Sequence, residues 1–315
     1  MDKKTLLSGV KPTGQPHLGN YFGMMKPCIE MQHDYFSYLF IPDLHALMSV
    51  QNGPEMRDLI LNLAIDYLGA GLDPEHTILF KQSDVPQHPE LTWIFDTITT
   101  MPYLMRAHAF KDAEAKNKEI TVGVFNYPML MAADILLYDT DVVPVGQDQK
   151  QHVEFARDTA LKFNNIYSET FKLPEAIIQE AVAVVPGTDG QKMSKSYKNT
   201  IPLFGSREEI QKAVMGIVTD SSGGRPKNVH AIHRLFKSEA ELEPIYTQNE
   251  GNYKVLKEAL AEDIDAFIAP LRERRESFAA QPEKVKEIIR EGGDRAREVA
   301  EAKMKDVRQK IGVTL

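Results

Sequence analysis

A parallel β-sheet wrapped by helices and followed by an all-helical C-terminal domain is the fold class this chain predicts, on three observations. Short apolar runs alternate with stretches of helical periodicity over roughly the first two thirds of the 315 residues, which is the pattern of repeated strand–helix–strand units. Strand-like runs then stop near Arg207, and charged helical periodicity continues to the end. The length exceeds one ordinary compact domain and falls short of three, so one large and one smaller unit is expected. Together these features specify a doubly wound, Rossmann-like α/β domain with a helical domain behind it.

The elements follow in order. LLSGV is the opening strand, with a helix from about Asn20; YFSYLFI is the second, with a helix after Pro54; TILFKQ is the third, followed by several helices. DVVPV supplies a fourth strand with a helix after Gly146, and AVAVVP a fifth. In the C-terminal part, breaks are expected at Ser221 to Pro226, Gln248 to Gly251, Gln281 to Pro282, and Gly292 to Gly293, where glycine, proline and small polar residues interrupt the pattern. The resulting division is a Rossmann-like domain over residues 1–190, with a helical insertion at about 85–140, and a lysine-bearing loop plus helical domain over 191–315.

Composition excludes several classes. With 43% hydrophobic and 26% charged residues the chain is ordinary globular material. The apolar stretch at the start is broken by Ser8, Gly9, Lys11 and Pro12, too early for a secretory signal, and no run approaches membrane-spanning length. Cys28 is the sole cysteine, which rules out an intrachain disulfide or a thiolate zinc cage and points to a reducing cytoplasm. The net charge of -8 is unevenly spread. Residues before Lys192 carry 14 basic and 25 acidic side chains, and those from Lys192 onward carry 23 and 20, so the C-terminal half is the one suited to a polyanion. Solvated helical charge explains the same numbers.

Ligands of open α/β sheets bind beyond the carboxyl ends of the strands, and four clusters lie there. The first is Pro12-Thr13-Gly14-Gln15-Pro16-His17-Leu18-Gly19-Asn20. Its glycines allow close backbone approach, and a helix N-terminus with a histidine donor suits phosphate oxygens; a simple turn would also contain proline and glycine. The second is Gln191-Lys192-Met193-Ser194-Lys195-Ser196, where two lysines with hydroxyls between them can surround a triphosphate, or merely form a solvated loop. The third is Asn126 to Tyr138. Helical spacing places Tyr127, Met131 and Asp134 on one face, and Asp134 sits in an almost wholly apolar stretch. A carboxylate there is costly to bury without a donor, and either an indole N–H or a neighbouring backbone amide would serve. The fourth, Val143 to His152, turns from strand to helix with Asp148 as a plausible cap.

His17-Leu18-Gly19-Asn20 and Lys192-Met193-Ser194-Lys195-Ser196 together resemble the two signatures of class I aminoacyl-tRNA synthetases. The second is matched residue for residue; in the first, Asn20 replaces the usual final histidine, as is typical of the tryptophan branch. The segment from Tyr127 through Met131 and Asp134 looks like that branch's substrate helix, and Val143 to Gln149 resembles its Val-Pro-Val-Gly-Glu-Asp-Gln run with Gln147 in place of glutamate. Asp43-Leu44-His45-Ala46 matches its Asp-x-His-Ala element.

The resemblance implies ATP as substrate, with Mg2+ held mainly by its phosphates, L-tryptophan and tRNA(Trp) as partners, an anticodon-binding C-terminal domain, and a homodimer. It implies that His17, Lys192 and Lys195 are catalytic. ATP would meet Lys11, Pro12, Thr13, Gly19, Asn20, Gly146, Gln147, Asp148, Lys192, Met193, Ser194, Lys195 and Ser196. Tryptophan would meet Asp134, which reads the indole nitrogen, with Tyr127, Met131, Gln149 near the amino group, and His45 shaping the pocket. Two departures stand out. Lys11 occupies a position where better-known members have glutamine, and Ala109 and Ala113 flank Phe110-Lys111 where glutamine and a second lysine are common.

The implied chemistry is attack of an already ionised carboxylate on the α-phosphorus of ATP, which needs no general base. A tyrosyl enzyme of the same fold is the nearest rival, since an aspartate also accepts from a phenol. A small nucleotidyltransferase would share the first signature but leave the long helical half and the second lysine motif unexplained. A non-catalytic synthetase-like regulator would be expected to lose the loop lysines, and both are present.

Overall fold

The computed structural model describes residues 3–12, 14–115, 119–146, 150–178, 185–219 and 224–314. β1 (Thr5–Gly9) leads into α1 (Leu18–Asn20), a π-helical turn (Tyr21–Met25) and α2 (Lys26–Met31). The widened turn lies immediately before Pro27, whose ring would clash with the carbonyl four residues back in a regular helix. β2 (Phe36–Ile41), α3 (Asp43–Ala46), α4 (Gly53–Ala70) and β3 (Thr77–Lys81) follow. α4 is capped by Asn52 at its start and by Gly71, at φ +112°, at its end.

After β3 the chain runs through α5 (Gln87–Ile98), α6 (Met101–Leu104), α7 (His108–Ala115) and α8 (Val122–Leu136) before β4 (Val142–Val145). Then come α9 (Lys150–Ile166) and β5 (Glu175–Ile178). The C-terminal part contains α10 (Arg207–Met215), α11 (Lys227–His233), α12 (Glu239–Gln248), α13 (Tyr253–Ala279) and α14 (Pro282–Lys310).

The strands form one parallel sheet in the order β3-β2-β1-β4-β5. Strand order therefore reverses between β1 and β4, and the carboxyl ends at Gly9 and Val145 flank that switch point. Both faces of the sheet are covered, which is why its central strands read as unbroken apolar runs. Leu7, Tyr38, Phe40 and Phe80 point into one core with α5, α8 and α9; Leu39, Ile41 and Leu79 point into the other with α4 and α13.

One expected strand lies mostly outside the described residues, and one expected break is corrected. The fifth strand is Glu175–Ile178, ahead of the expected AVAVVP run, of which residues 181–184 lie outside the described residues. The expected break at Gly292 to Gly293 does not exist, because α14 runs through both glycines. These glycines are contact residues rather than helix breakers. A Cβ at Gly292 would lie 1.9 Å from the Leu79 carbonyl oxygen, and one at Gly293 would lie 2.9 Å from Asp84 Cβ. α14 thus presses directly on the β3 edge of the sheet, and Arg297 Nε donates to the Asp84 carbonyl at 2.8 Å beside them. An edge strand covered by a helix is protected from pairing with another chain. Beyond that crossing, Ala296, Ala300, Met304 and Val307 enter the same core as α5 and α8.

Gly292→Ala should therefore lower stability by about 2 kcal/mol or more, although alanine is the better helix former. Urea unfolding measures this against Lys305→Ala on the exposed face of the same helix, which should change stability by less than about 0.5 kcal/mol. Equal effects would mean that the close approach to Leu79 carries no constraint.

Candidate active site

The chain leaves β1 through Val10, Lys11 and a buried Pro12, and turns at Gly14, whose φ of +91° favours glycine. His17 then caps α1 reciprocally with Asn20. The Asn20 backbone N–H donates to His17 Nδ1 at 3.3 Å, and the His17 N–H donates to Asn20 Oδ1 at 3.1 Å. Since Nδ1 accepts, the neutral ring carries its proton on Nε2 as an outward donor. Burial, assisted by the nearby Lys195 cation, pulls the His17 pKa down to about 4, so the ring is uncharged at neutral pH.

The lysine-bearing loop docks on this turn. Leu18 N–H donates to the Ile201 carbonyl and Leu203 N–H to the Pro16 carbonyl, both at 3.0 Å. Gly19 N–H meets Met193 Sδ at 3.3 Å, and a Cβ at Gly19 would lie 2.9 Å from the His17 ring and 3.3 Å from Met193. Gly19 is thus required for contact between the two motifs, and Lys195 Nζ hangs over Gly14, 3.6 Å from the position of a Cβ there.

Within the loop, Asn199 is the organiser. Its buried amide donates to Asp189 Oδ1 at 2.7 Å and to the Lys192 carbonyl at 3.1 Å, while its Oδ1 accepts the Ser194 N–H at 2.8 Å. The backbone that carries Lys192 and Ser194 is therefore fixed, while Lys192 and Lys195 reach solvent. Ser194 and Ser196 hydroxyls stand 2.9 Å apart.

The amino-acid end lies on α8. Thr121 caps this helix at its start, and Pro128 sits in its interior. Asp134 is 1% exposed. Gln82 Nε2 donates to its Oδ1 at 2.6 Å, His88 Nδ1 lies 2.6 Å from the same oxygen, and His45 Nε2 lies 2.9 Å from Oδ2. Burial alone would raise the acid, but the His45 and His88 contacts outweigh it and hold the pKa at about 2. Asp134 is therefore a buried anion and a pure acceptor.

A chain of contacts joins the two ends. The His45 ring meets Tyr127 edge-on at 6.1 Å, the Tyr127 hydroxyl bonds His152 Nε2, and Lys11 Nζ lies over the Tyr127 ring at 5.8 Å. Burial lowers the Lys11 pKa. Met131 is half-buried against the core, and Gly146 is exposed at the carboxyl end of β4. Thr13, Gln147, Asp148 and Gln149 lie outside the described residues, as do the side chains at 109 and 113.

The model of the family described as tRNA synthetases class I (W and Y) matches residues 2–276. A tryptophan–tRNA ligase of Rhodopirellula baltica is 45% identical over 317 residues, covering 98% of this chain and 99% of that protein. The chain belongs to the class I tRNA synthetases, on their tryptophan branch. A solved member of that branch, the Campylobacter jejuni tryptophanyl-tRNA synthetase complexed with ADP and tryptophan, is 43% identical, covers 98% of this chain and 99% of its own, and superposes with a TM-score of 0.92. A tyrosyl-tRNA synthetase of Archaeoglobus fulgidus, 19% identical over 87% of this chain and 90% of its own with a TM-score of 0.64, shares the fold alone.

Four residues of the site in this synthetase escape sequence reasoning: Gln82, His88, His152 and Asn199. Gln82 directly follows β3, where its position beyond a strand's carboxyl end is the only signal. The others carry no local mark, because each acts on a partner between 5 and 46 residues away.

The contact between the motifs can be read through His17. The unfolded chain takes up this proton near pH 6.5 and the folded chain only near 4, so stability falls as pH drops through that window. Lys195→Ala removes a neighbouring cation and should shift the His17 titration upward from about 4, read from its ring proton resonance. An unchanged titration would mean that the lysine does not sit beside the turn in solution.

Proposed function

We propose that this chain activates L-tryptophan with ATP to give tryptophanyl-adenylate and pyrophosphate, then transfers the tryptophanyl group to the 3′ end of tRNA(Trp). The observation that carries the reading is Asp134, a fully buried carboxylate held as an anion at the carboxyl end of the sheet and linked through His45, Tyr127 and Lys11 to the turn on which the cationic loop docks. A buried acceptor of this kind favours a substrate with a ring N–H and disfavours one without it.

In the first step the tryptophan carboxylate oxygen bonds to the α-phosphorus as the bond to the β-phosphate bridging oxygen breaks, releasing pyrophosphate. The nucleophile is ionised, so catalysis rests on alignment and charge stabilisation. Neutral His17 donates from Nε2 to a phosphate oxygen, Lys192 and Lys195 stabilise the charge that moves onto pyrophosphate, and Gly19 and Asn20 give the nucleotide access to the helix start. Pro12, Gly146, Met193, Ser194 and Ser196 line the ATP path, Thr13, Gln147 and Asp148 complete the nucleotide contacts, and Gln149 faces the amino group of tryptophan. Among the described residues no group of three or more acidic, histidine or cysteine side chains could hold a metal. A magnesium ion would accordingly arrive on the triphosphate, where it partly neutralises the phosphate charge. In the second step a ribose hydroxyl of the tRNA attacks the carbonyl carbon and AMP leaves.

The reading extends to a domain boundary near residue 190, with the more basic half contacting tRNA, and to a homodimer in a reducing cytoplasm. Trp93 is 71% and Val122 82% exposed, large apolar side chains that suit contact with a second copy. Sedimentation velocity should give the mass of two chains, and a monomer at micromolar concentration would remove that part. Cys28 is buried with its pKa raised to about 11 by burial, an inert thiol that suits such a compartment. Among the described residues no helix is long and apolar enough to cross a membrane.

Pyrophosphate exchange into ATP tests the activity. It should proceed with tryptophan and far more slowly with tyrosine. Lys195→Ala should lower the exchange rate about 100-fold with tryptophan binding unchanged, and Asp134→Ala should cost tryptophan recognition while ATP affinity stays the same. No exchange with tryptophan, or full activity in both variants, would overturn the proposal.

A further inference from the structure

The two oxygens of Asp134 are not equivalent. Oδ1 is crowded by Gln82 Nε2 and His88 Nδ1, each 2.6 Å away. Gln82 is fixed from its other end, since its Oε1 accepts the His45 backbone N–H at 3.4 Å, which aims the amide nitrogen at the acid. Oδ2 has one partner among the described residues, His45 Nε2 at 2.9 Å. A carboxylate oxygen offers about two lone pairs. Gln82 takes one lone pair of Oδ1 and the His88 ring covers the remaining approach, so Oδ1 is closed to further donors and Oδ2 keeps one direction open.

His88 has no contact with any group that reacts. Its ring is fully buried, lies nearly parallel to Phe40 and Phe80 at 6.2 and 6.4 Å, and bonds through Nε2 to the Tyr138 hydroxyl at 2.9 Å. Its approach to Oδ1 is short but oblique: the distance is that of a charge-assisted contact, while the angle falls short of a hydrogen bond. A group so placed blocks that oxygen sterically as well as electrostatically, and it reaches Asp134 on α8 from a different helix, α5.

We propose that His88, braced by Tyr138, is a specificity-positioning residue that closes Oδ1 of Asp134 and so presents Oδ2 as the single acceptor for the ring N–H of the substrate. This rests on the reading of Asp134 as that acceptor. Left unbraced, the carboxylate can rotate about its last bond and offer either oxygen, and the site loses the fixed direction on which rejection of a ring without an N–H depends.

The test is the ratio of kcat/KM for tryptophan to that for β-(3-benzothienyl)alanine, in which sulfur replaces the ring N–H, measured by pyrophosphate exchange. His88→Phe keeps an aromatic ring without a donor and should reduce the ratio about tenfold. His88→Asn keeps a donor near Nδ1 and should hold the ratio within about threefold of the parent. A uniform loss of activity on both substrates, with the ratio intact in His88→Phe, would overturn the assignment. If that same ratio collapses in Asp134→Ala, the acceptor reading survives; if Asp134→Ala leaves it unchanged, both fall. Should His88→Phe fail to fold by circular dichroism, Tyr138→Phe decides. A reduced ratio there supports the brace, and an unchanged one overturns it.

Discussion

A carboxylate buried to 1% exposure must be compensated or protonated, and at Asp134 compensation wins. The compensating groups come from three places that the fold alone brings together: His45 on α3 beyond β2, Gln82 beyond β3, and His88 on α5. Because β2 and β3 run parallel and in register, with Ile41 opposite Lys81, their carboxyl ends deliver His45 and Gln82 to the same depth. The acid thus depends on sheet register, and a register slip would strand a buried charge.

The other half of the site depends on contact rather than charge. Gly19 must lack a side chain for Met193 to reach the turn, and pairing of residues 16–18 with 201–203 holds the lysine loop over it. Asn199 fixes the loop's own backbone, so the lysines are carried on an ordered frame. Neutral His17 and cationic Lys195 are then complementary: burial and the lysine suppress the histidine's charge, leaving a donor that adds no repulsion.

Much of this was legible in the residues. The parallel sheet and helical second half followed from apolar periodicity, and Asp134 stood out as an acid in an apolar helix. Gly292 was misread because a glycine pair in a polar helix looks like a break unless the neighbouring strand is known. Glu175–Ile178, the strand paired with β4, carries little signal because it is short and begins with a charge. His88 and Asn199 were invisible for a different reason. Their meaning lies wholly in partners on other segments, and a lone histidine or asparagine carries no periodicity.

The most direct measurement follows the indole proton itself. Tryptophan isotope-labelled at the ring nitrogen, bound to the protein and observed by NMR, should show an N–H proton shifted downfield and protected from solvent exchange, with both properties lost at saturating tryptophan in Asp134→Ala, which has no acceptor there. A bound indole proton that exchanges and resonates as in free tryptophan would contradict the account.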